Sequence, residues 1–100
     1  MEVNISKQNG ITTVTLVGRL DTPASPEVEK ALEPIHENAT GTIVLDCKGL
    51  EYISSSGLRI FLAIRKSAAA KGGRVIVKDI NNDIRSVFMM TGFLNLFEIQ

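Results

Sequence analysis

Residues 42–58 read TIVLDCKGLEYISSSGL, in which an apolar run ends at an acidic residue and, after seven more residues, three serines and a glycine follow. The continuous run Thr42 to Leu45, mostly β-branched and apolar, is typical of a strand covered on both faces, and we interpret it as a central parallel strand. From Leu58 to Ala70 every residue is compatible with a helix, until Gly72 and Gly73 end it. We therefore predict a buried strand, a serine-rich loop and a largely buried helix.

The residues before this segment predict a hairpin and then an acidic helix. Val3 and Ile5 alternate with polar neighbours, and Asn9-Gly10 separates them from a second apolar stretch ending at Val17, the pattern of two strands joined by a tight turn. Residues 28–35 follow a helical repeat. Its apolar face consists of Val28, Ala31, Leu32 and Ile35, and its solvent-facing side carries Glu27, Glu29, Glu33 and Glu37.

Prolines mark the limits of this acidic helix. Thr22 and Ser25 each precede a proline, so one of them is expected to cap the helix with proline at its first position. Pro34 lies inside the helical pattern and is expected to kink the helix or to end its regular part.

The residues after the serine-rich loop complete a small α/β domain. Arg74 to Val77 predicts another strand, and Asn81 or Asn82 is expected to cap a helix that Gly92 ends. Leu94 to Ile99 is read as a short final strand. This alternation predicts a mixed β-sheet with helices packed on it through right-handed crossovers, in a single domain that covers residues 1–100.

Composition and charge exclude several functional classes. The chain has 100 residues with eleven basic and eleven acidic side chains, so it lacks the basic excess with which proteins neutralise nucleic-acid phosphates. No stretch approaches the roughly 20 apolar residues that span a bilayer, so no direct membrane insertion is expected. The lone Cys47 and the absence of a signal-like N-terminus favour the cytoplasm. We expect a surface-acting module rather than a cavity enzyme.

The run Ser54-Ser55-Ser56-Gly57 is the one unusual local feature. A helix start presents free backbone N–H groups and the positive end of the helix dipole, so a phosphate on one of these serines would be favoured there. The alternative is structural: one serine caps the helix, and Gly57 relieves crowding. The local pattern alone leaves both interpretations open.

No catalytic constellation is visible, and we expect no enzymatic activity, no metal and no cofactor. A hydrolase nucleophile elbow needs glycine two residues before and two after the serine, and Ser55 is preceded there by Ile53. His36, the only histidine, is read as a solvated surface residue of the acidic helix rather than a base. One cysteine, one histidine and scattered carboxylates have no spacing that suits zinc.

Five short motifs follow one another along the chain: Gly18-Arg19-Leu20-Asp21, Ile43-Val44-Leu45-Asp46, Ile53-Ser54-Ser55-Ser56-Gly57-Leu58, Gly72-Gly73 and Thr91-Gly92-Phe93. In this order and spacing they resemble the STAS family, the domain of bacterial anti-sigma factor antagonists. The resemblance implies a mixed sheet with helices on one side and a non-enzymatic switch. In such circuits the unmodified antagonist binds an anti-sigma factor that is also a serine kinase and so releases a sigma factor. Phosphorylation by that kinase ends the interaction, and a serine phosphatase reverses it.

The resemblance also assigns residues. The family phosphoacceptor directly precedes the glycine, which corresponds to Ser56, with Ser55 as the fallback because Ser54 stands where the family commonly has aspartate. The implied partner-binding residues are Asp21, Ser54, Ser55, Ser56, Gly57 and Arg59. Asp21 and Asp46 match acidic positions at strand ends beside the switch loop, although each could equally be a turn or cap residue.

A second function remains open from the sequence. STAS-like domains beside transporters and lipid-transfer systems imply a constitutive scaffold or accessory subunit that would reach a membrane only through a separate partner. The serine run favours the phosphorylation-controlled antagonist, and a kinase-like partner would distinguish the two.

Overall fold

The computed structural model describes residues 1–100, which form five strands and four α-helices. The strands are β1 (Glu2–Gln8), β2 (Ile11–Leu20), β3 (Thr42–Ile53), β4 (Arg74–Lys78) and β5 (Glu98–Ile99). The helices are α1 (Ser25–Ala31), α2 (Glu33–Glu37), α3 (Ser55–Ala70) and α4 (Asn82–Thr91), and a 3₁₀ turn (Phe93–Asn95) precedes β5.

The strands form one mixed sheet in the order β1-β2-β3-β4-β5. Only β1 and β2 pair antiparallel, through the two-residue turn Asn9-Gly10, whose residues both have positive φ as a hairpin turn of this length requires. The remaining neighbours are parallel, and β3 is the central strand. The predicted hairpin, mixed sheet and central parallel strand are therefore confirmed.

The helices pack on one face of this sheet, so the expectation that β3 is covered on both faces is wrong. Ile43, Leu45 and Cys47 point into the helical core, whereas Val44 and Asp46 lie on the other face and are only half-buried. A β-branched run made the strand look uniformly apolar, but its side chains alternate between two different environments.

Four phenylalanines join the C-terminal half of the chain into one core. The ring of Phe61 in α3 forms T-shaped pairs with the rings of Phe88 in α4 and of Phe97. The ring centroids are 6.2 Å apart in the first pair and 6.3 Å apart in the second. Phe93 packs on both Phe88 and Phe97. Because aromatic rings bury large apolar areas, this cluster fixes α3 and α4 against the sheet.

The N-terminal helices begin differently from the sequence-based expectation. Ala24 occupies the cap position of α1, and neither Thr22 nor Ser25 caps the helix. Ser25 is buried, and its hydroxyl donates to the backbone oxygen of Asp21 at 2.9 Å, while the Asp21 carboxylate accepts from Ala24 N at 3.1 Å. The turn therefore satisfies its own polar groups, because Asp and Ser side chains bond readily to nearby backbone.

The other helix limits agree more closely with the sequence. Pro34 ends the regular helix as expected, since α1 stops at Ala31 and α2 starts at Glu33. Ala31 is exposed and so does not belong to the apolar face. Asn81 caps α4 through a hydrogen bond that its side chain accepts from Ile84 N at 2.8 Å, and Gly92 ends the helix with a φ of 81°.

The final strand, β5, has two residues instead of the expected six. No helix combines the length and apolar character needed to cross a membrane.

Candidate functional site

The ends of β2 and β3 bring Asp21 and the serine run together. Leu20 and Ile53, the last residues of the two strands, are paired in the sheet. Ser54 N donates to the Leu20 carbonyl at 2.9 Å, so the two chain segments leave the sheet side by side. Asp21 and Ser54 therefore start neighbouring loops at one edge of the domain, as the sequence predicted for Asp21.

The three serines have different roles at the start of α3. Ser54 caps the helix, because its hydroxyl oxygen accepts from Gly57 N at 3.3 Å. Ser55 is exposed and Ser56 is half-buried, and neither side chain makes a hydrogen bond to another protein group. One serine thus performs the structural role of capping the helix, while the hydroxyls of Ser55 and Ser56 take no part in capping.

Gly57 lets the first turn of α3 approach the strand ends. A Cβ at this position would lie 2.7 Å from Ile53 Cγ1 and 2.8 Å from Leu20 Cγ. These separations are shorter than carbon–carbon contacts allow, so a larger residue would force the side chains of Ile53 and Leu20, or the helix itself, to shift. The expectation that Gly57 relieves crowding is confirmed.

The start of α3 is electrostatically suited to an added negative charge. The helix has 16 residues, and its first turn contains no acidic side chain. Arg59, which follows Ser56 by three residues, is exposed and forms no ion pair, since the single ion pair of the chain joins Arg74 and Glu98. Residues three apart are neighbours on a helix surface, so Ser56 and Arg59 occupy the same side of α3.

Asp46 does not share this site, and its predicted place at a strand end is wrong. It lies within β3, seven residues before the end of the strand, and pairs with Thr15 on one side and Lys78 on the other. Its carboxylate accepts from Lys48 N at 3.1 Å, which is a local structural role. The strand continues past Asp46 because β2 also continues and pairs with residues 49–53 across two irregularities.

His36 has a structural contact and no contact with the serine run. Its Nδ1 lies 2.6 Å from the hydroxyl oxygen of Ser67, so it joins α2 to the second half of α3 and is not the solvated residue expected. Ser67 follows Ser56 by eleven residues, which is about 16 Å along a helix. A base for either Ser55 or Ser56 is therefore not provided by this histidine. The chain also has no cluster of three or more His, Cys, Asp or Glu side chains arranged to hold a metal ion.

An open groove lies between the end of β3 and α4, and Ile53, which directly precedes the serine run, is one of its lining residues. We call it the Tyr52 groove. Its volume is about 340 Å³, and it is lined by Arg19, Glu51, Tyr52, Ile53, Asp83, Ile84 and Val87. The Arg19 guanidinium carbon lies 4.4 Å from the centre of the Tyr52 ring, the geometry of a cation–π contact.

Comparisons with known proteins identify the fold family. The model of the STAS domain family matches residues 2–100. This chain belongs to the STAS family. An anti-sigma F factor antagonist of Paenibacillus polymyxa is 30% identical to this STAS domain over 100 residues, covering 99% of this chain and 86% of that protein.

Solved structures of anti-sigma factor antagonists share the fold. The antagonist from Mycobacterium paratuberculosis superposes with a TM-score of 0.83 at 21% identity, covering 98% of this chain and 83% of that one. SpoIIAA of Bacillus in its phosphorylated form gives a TM-score of 0.75 at 22% identity over 99% of this chain and 91% of that one. Its unphosphorylated form gives 0.76 at 21% identity, covering 99% of this chain and 87% of that one.

The sequence did not single out the Tyr52 groove of this STAS domain. Tyr52 is the only tyrosine, and it remains 41% exposed although the next residue of the strand, Ile53, is buried. Arg19 was visible only as part of a family motif. The signal that could have found the groove is an aromatic residue on the polar side of a strand, but its partners come from β2 and α4 and depend on the tertiary structure.

Proposed function

We propose that this STAS domain is an anti-sigma factor antagonist controlled by phosphorylation of Ser56. In its unmodified form it binds an anti-sigma factor that has serine kinase activity and so releases a sigma factor. Phosphorylation of Ser56 by that kinase ends the binding, and a serine phosphatase restores it. The domain acts in this circuit as a substrate and a binding module and not as an enzyme.

The division of roles among the serines is the observation that carries this proposal. The Ser54 hydroxyl is occupied as the cap of α3, whereas the Ser56 hydroxyl has no protein partner, and Ser56 shares one side of the helix with Arg59. Ser56 directly precedes Gly57, the position of the phosphoacceptor in the family pattern that this chain resembles. Ser55 is the fallback acceptor, because it is more exposed and equally free of hydrogen bonds.

The related proteins support the same function. The relative from Paenibacillus polymyxa is named an anti-sigma F factor antagonist, and the SpoIIAA structures describe phosphorylated and unphosphorylated forms. We transfer from these names the class of partner, an anti-sigma factor, and the class of control, a phosphate.

The proposed binding surface is centred on the edge where β2 and β3 end. It comprises Asp21, Ser54, Ser55, Ser56, Gly57 and Arg59. A phosphoryl group adds about −1.5 to −2 charges and three acceptor oxygens at neutral pH. At a helix start this charge is compensated within the domain, so its main effect falls on the partner, where it adds bulk and unpaired charge. A loss of about 3 kcal/mol would weaken binding roughly a hundredfold.

The cellular setting follows from the partner class. Since sigma factors act in the cytoplasm, we place the domain there, with no nucleic acid as a direct ligand and no insertion into a membrane. The balanced charge of the chain agrees with a protein partner rather than a polyanion.

Titration calorimetry with purified anti-sigma factors from the same genome tests the proposal. Wild type and Ser56→Ala are expected to bind one of them with equal affinity before any nucleotide is added. After incubation with ATP, only Ser56→Ala should keep that affinity, and peptide mass spectrometry should find phosphate on Ser56 of the wild type. Ser55→Ala serves as the matched control, because it changes the neighbouring exposed serine in the same helical turn.

Each contrary result has a defined meaning. Phosphate on Ser55 with unmodified Ser56 would move the switch to the fallback residue. Binding that persists with no phosphate anywhere from Ser54 to Ser56 would replace the switch with the constitutive scaffold. Absence of binding to every anti-sigma factor of the genome would overturn the proposed function altogether.

A further inference from the structure

The geometry points to the Tyr52 groove as an anchoring site for the anti-sigma factor, which inserts an apolar side chain flanked by a basic residue. This inference rests on the proposed function and extends its binding surface from the serine run onto α4. The groove has apolar walls formed by Tyr52, Ile53 and Val87, and two carboxylates on its rim, Glu51 and Asp83.

Ile53 connects the groove to the start of α3. Its side chain lines the groove, and its Cγ1 also lies against Gly57, 2.7 Å from where a Cβ would stand. A partner side chain in the groove is therefore separated from the first turn of α3 by a single residue. A partner that contacts Ser55 and Ser56 can reach the groove without leaving the surface of the domain.

The outer face of α4 continues the groove as an apolar surface. Asp83, Val87 and Met90 are spaced at i, i+4 and i+7, so they lie along one side of the helix. Asp83 and Val87 line the groove, and Met90 follows them with 85% of its side chain exposed. Methionine adapts its shape to a partner, and tyrosine, arginine and methionine are enriched at protein interfaces.

The charges at the rim select the chemistry of the partner. Arg19 is engaged over the ring of Tyr52, whereas neither Glu51 nor Asp83 forms an ion pair. With Arg19 as the only cation among the lining residues, the groove keeps one excess negative charge, which attracts a lysine or arginine next to the inserted side chain. A second copy of this chain fits less well, because a symmetric dimer through this face would bring together two grooves that each carry an excess negative charge.

Two methionines of α4 provide a matched pair for the test. Met90 lies on the groove side, and Met89, which is 64% exposed, lies on the other side of the same helix. Binding of the anti-sigma factor identified by calorimetry is measured for Met90→Glu, Met89→Glu and Tyr52→Ala. We expect affinity to fall at least tenfold for Met90→Glu and Tyr52→Ala and less than twofold for Met89→Glu, with thermal unfolding confirming that all three variants are folded.

Asp83→Asn tests the charge argument separately. This variant should weaken binding severalfold and reduce the dependence of the affinity on salt, because one attractive charge pair is lost.

Equal affinity of Met90→Glu, Met89→Glu and wild type would overturn the groove proposal, while loss of binding by Ser56→Asp in the same assay would leave the proposed function standing. Absence of any binding by wild type would overturn both. A wild-type dimer that Met90→Glu converts to a monomer, with partner affinity unchanged, would assign the groove to a second copy and also overturn the proposal.

Discussion

The side chain of Leu20, at the end of β2, lies 2.8 Å from the point where a Cβ on Gly57 would stand. This approach fixes the first turn of α3 against the paired ends of β2 and β3, because Leu20 and Ile53 are both buried beneath it. The position of the serine run on the surface is therefore set by core packing and not by the loop itself.

Replacing Gly57 with alanine should disturb both the core and the serine run. The added methyl group would overlap Ile53 and Leu20, so we expect a loss of about 1 to 3 kcal/mol in the free energy of unfolding. Urea titration followed by circular dichroism measures this loss. Ser55→Ala, in the same turn but exposed, is the control and should shift the midpoint little. An unchanged midpoint for Gly57→Ala would show that α3 is not held as closely as described.

The cap role of Ser54 predicts that the serines contribute differently to stability. Ser54→Ala removes the acceptor for Gly57 N and should cost about 1 kcal/mol. Ser56→Ala removes no hydrogen bond and should change stability by less than about 0.5 kcal/mol. Thermal unfolding of the two variants in parallel measures these losses. A larger loss of stability for Ser56→Ala than for Ser54→Ala would assign the cap to Ser56.

Much of the fold could be predicted from local signals in the sequence. The turn Asn9-Gly10, the cap Asn81 and the stop Gly92 each act within a few residues, so the hairpin and α4 were correctly located. The prediction that Thr22 or Ser25 caps α1 was wrong, because the turn at Asp21 satisfies its polar groups in another way. Residues such as serine, threonine and proline indicate that a helix begins nearby, but the turn that the chain adopts decides at which residue it begins.

The site was only partly predictable for a related reason. Ser54 to Gly57 form a continuous motif, so their place at a helix start could be predicted from the sequence alone. Asp46 was misplaced because the length of β3 depends on its pairing with β2, which no local pattern records. The Tyr52 groove was missed because its walls come from β2, β3 and α4, and only the tertiary fold brings Arg19 onto Tyr52.

Phe61 and Leu62 are neighbours in α3 and should respond very differently to truncation. Phe61 is fully buried and contacts two other phenylalanine rings, so Phe61→Ala should cost about 3 to 5 kcal/mol. The sequence predicts a largely buried helix here, but the Leu62 side chain is only partly buried, so we expect Leu62→Ala to cost at or below about 2 kcal/mol. Denaturant unfolding compares the two, and similar losses would indicate a different rotation of α3.

Cys47 should be unreactive in the folded domain. Burial, with smaller contributions from Asp46 and Asp79, raises the pKa of its thiol from 9.0 to about 12. Because thiolate is the reactive form, a thiol reagent at pH 8 should label the protein only in denaturant. Stability should also decrease as the pH rises above about 9, since the unfolded chain then loses a proton that the folded one retains. Cys47→Ala should lack this component, and rapid labelling of native protein would contradict the burial.

A negative charge at Ser56 should leave the domain folded. Anions near a helix start are favoured by about 0.3 to 1 kcal/mol, and the first turn of α3 has no acidic residue that would repel the new charge. We therefore expect Ser56→Asp to be at least as stable as Ser56→Asn in thermal unfolding at low salt. Ala69 is exposed in the last turn of the same helix, at the negative end of the helix dipole. There a negative charge is unfavourable, so Ala69→Asp should be less stable than Ala69→Asn. The asparagine variants isolate the charge, because they match aspartate in size. A lower stability of Ser56→Asp than of Ser56→Asn would contradict this prediction. Phosphorylation would then end partner binding by unfolding the domain and not by changing its binding surface.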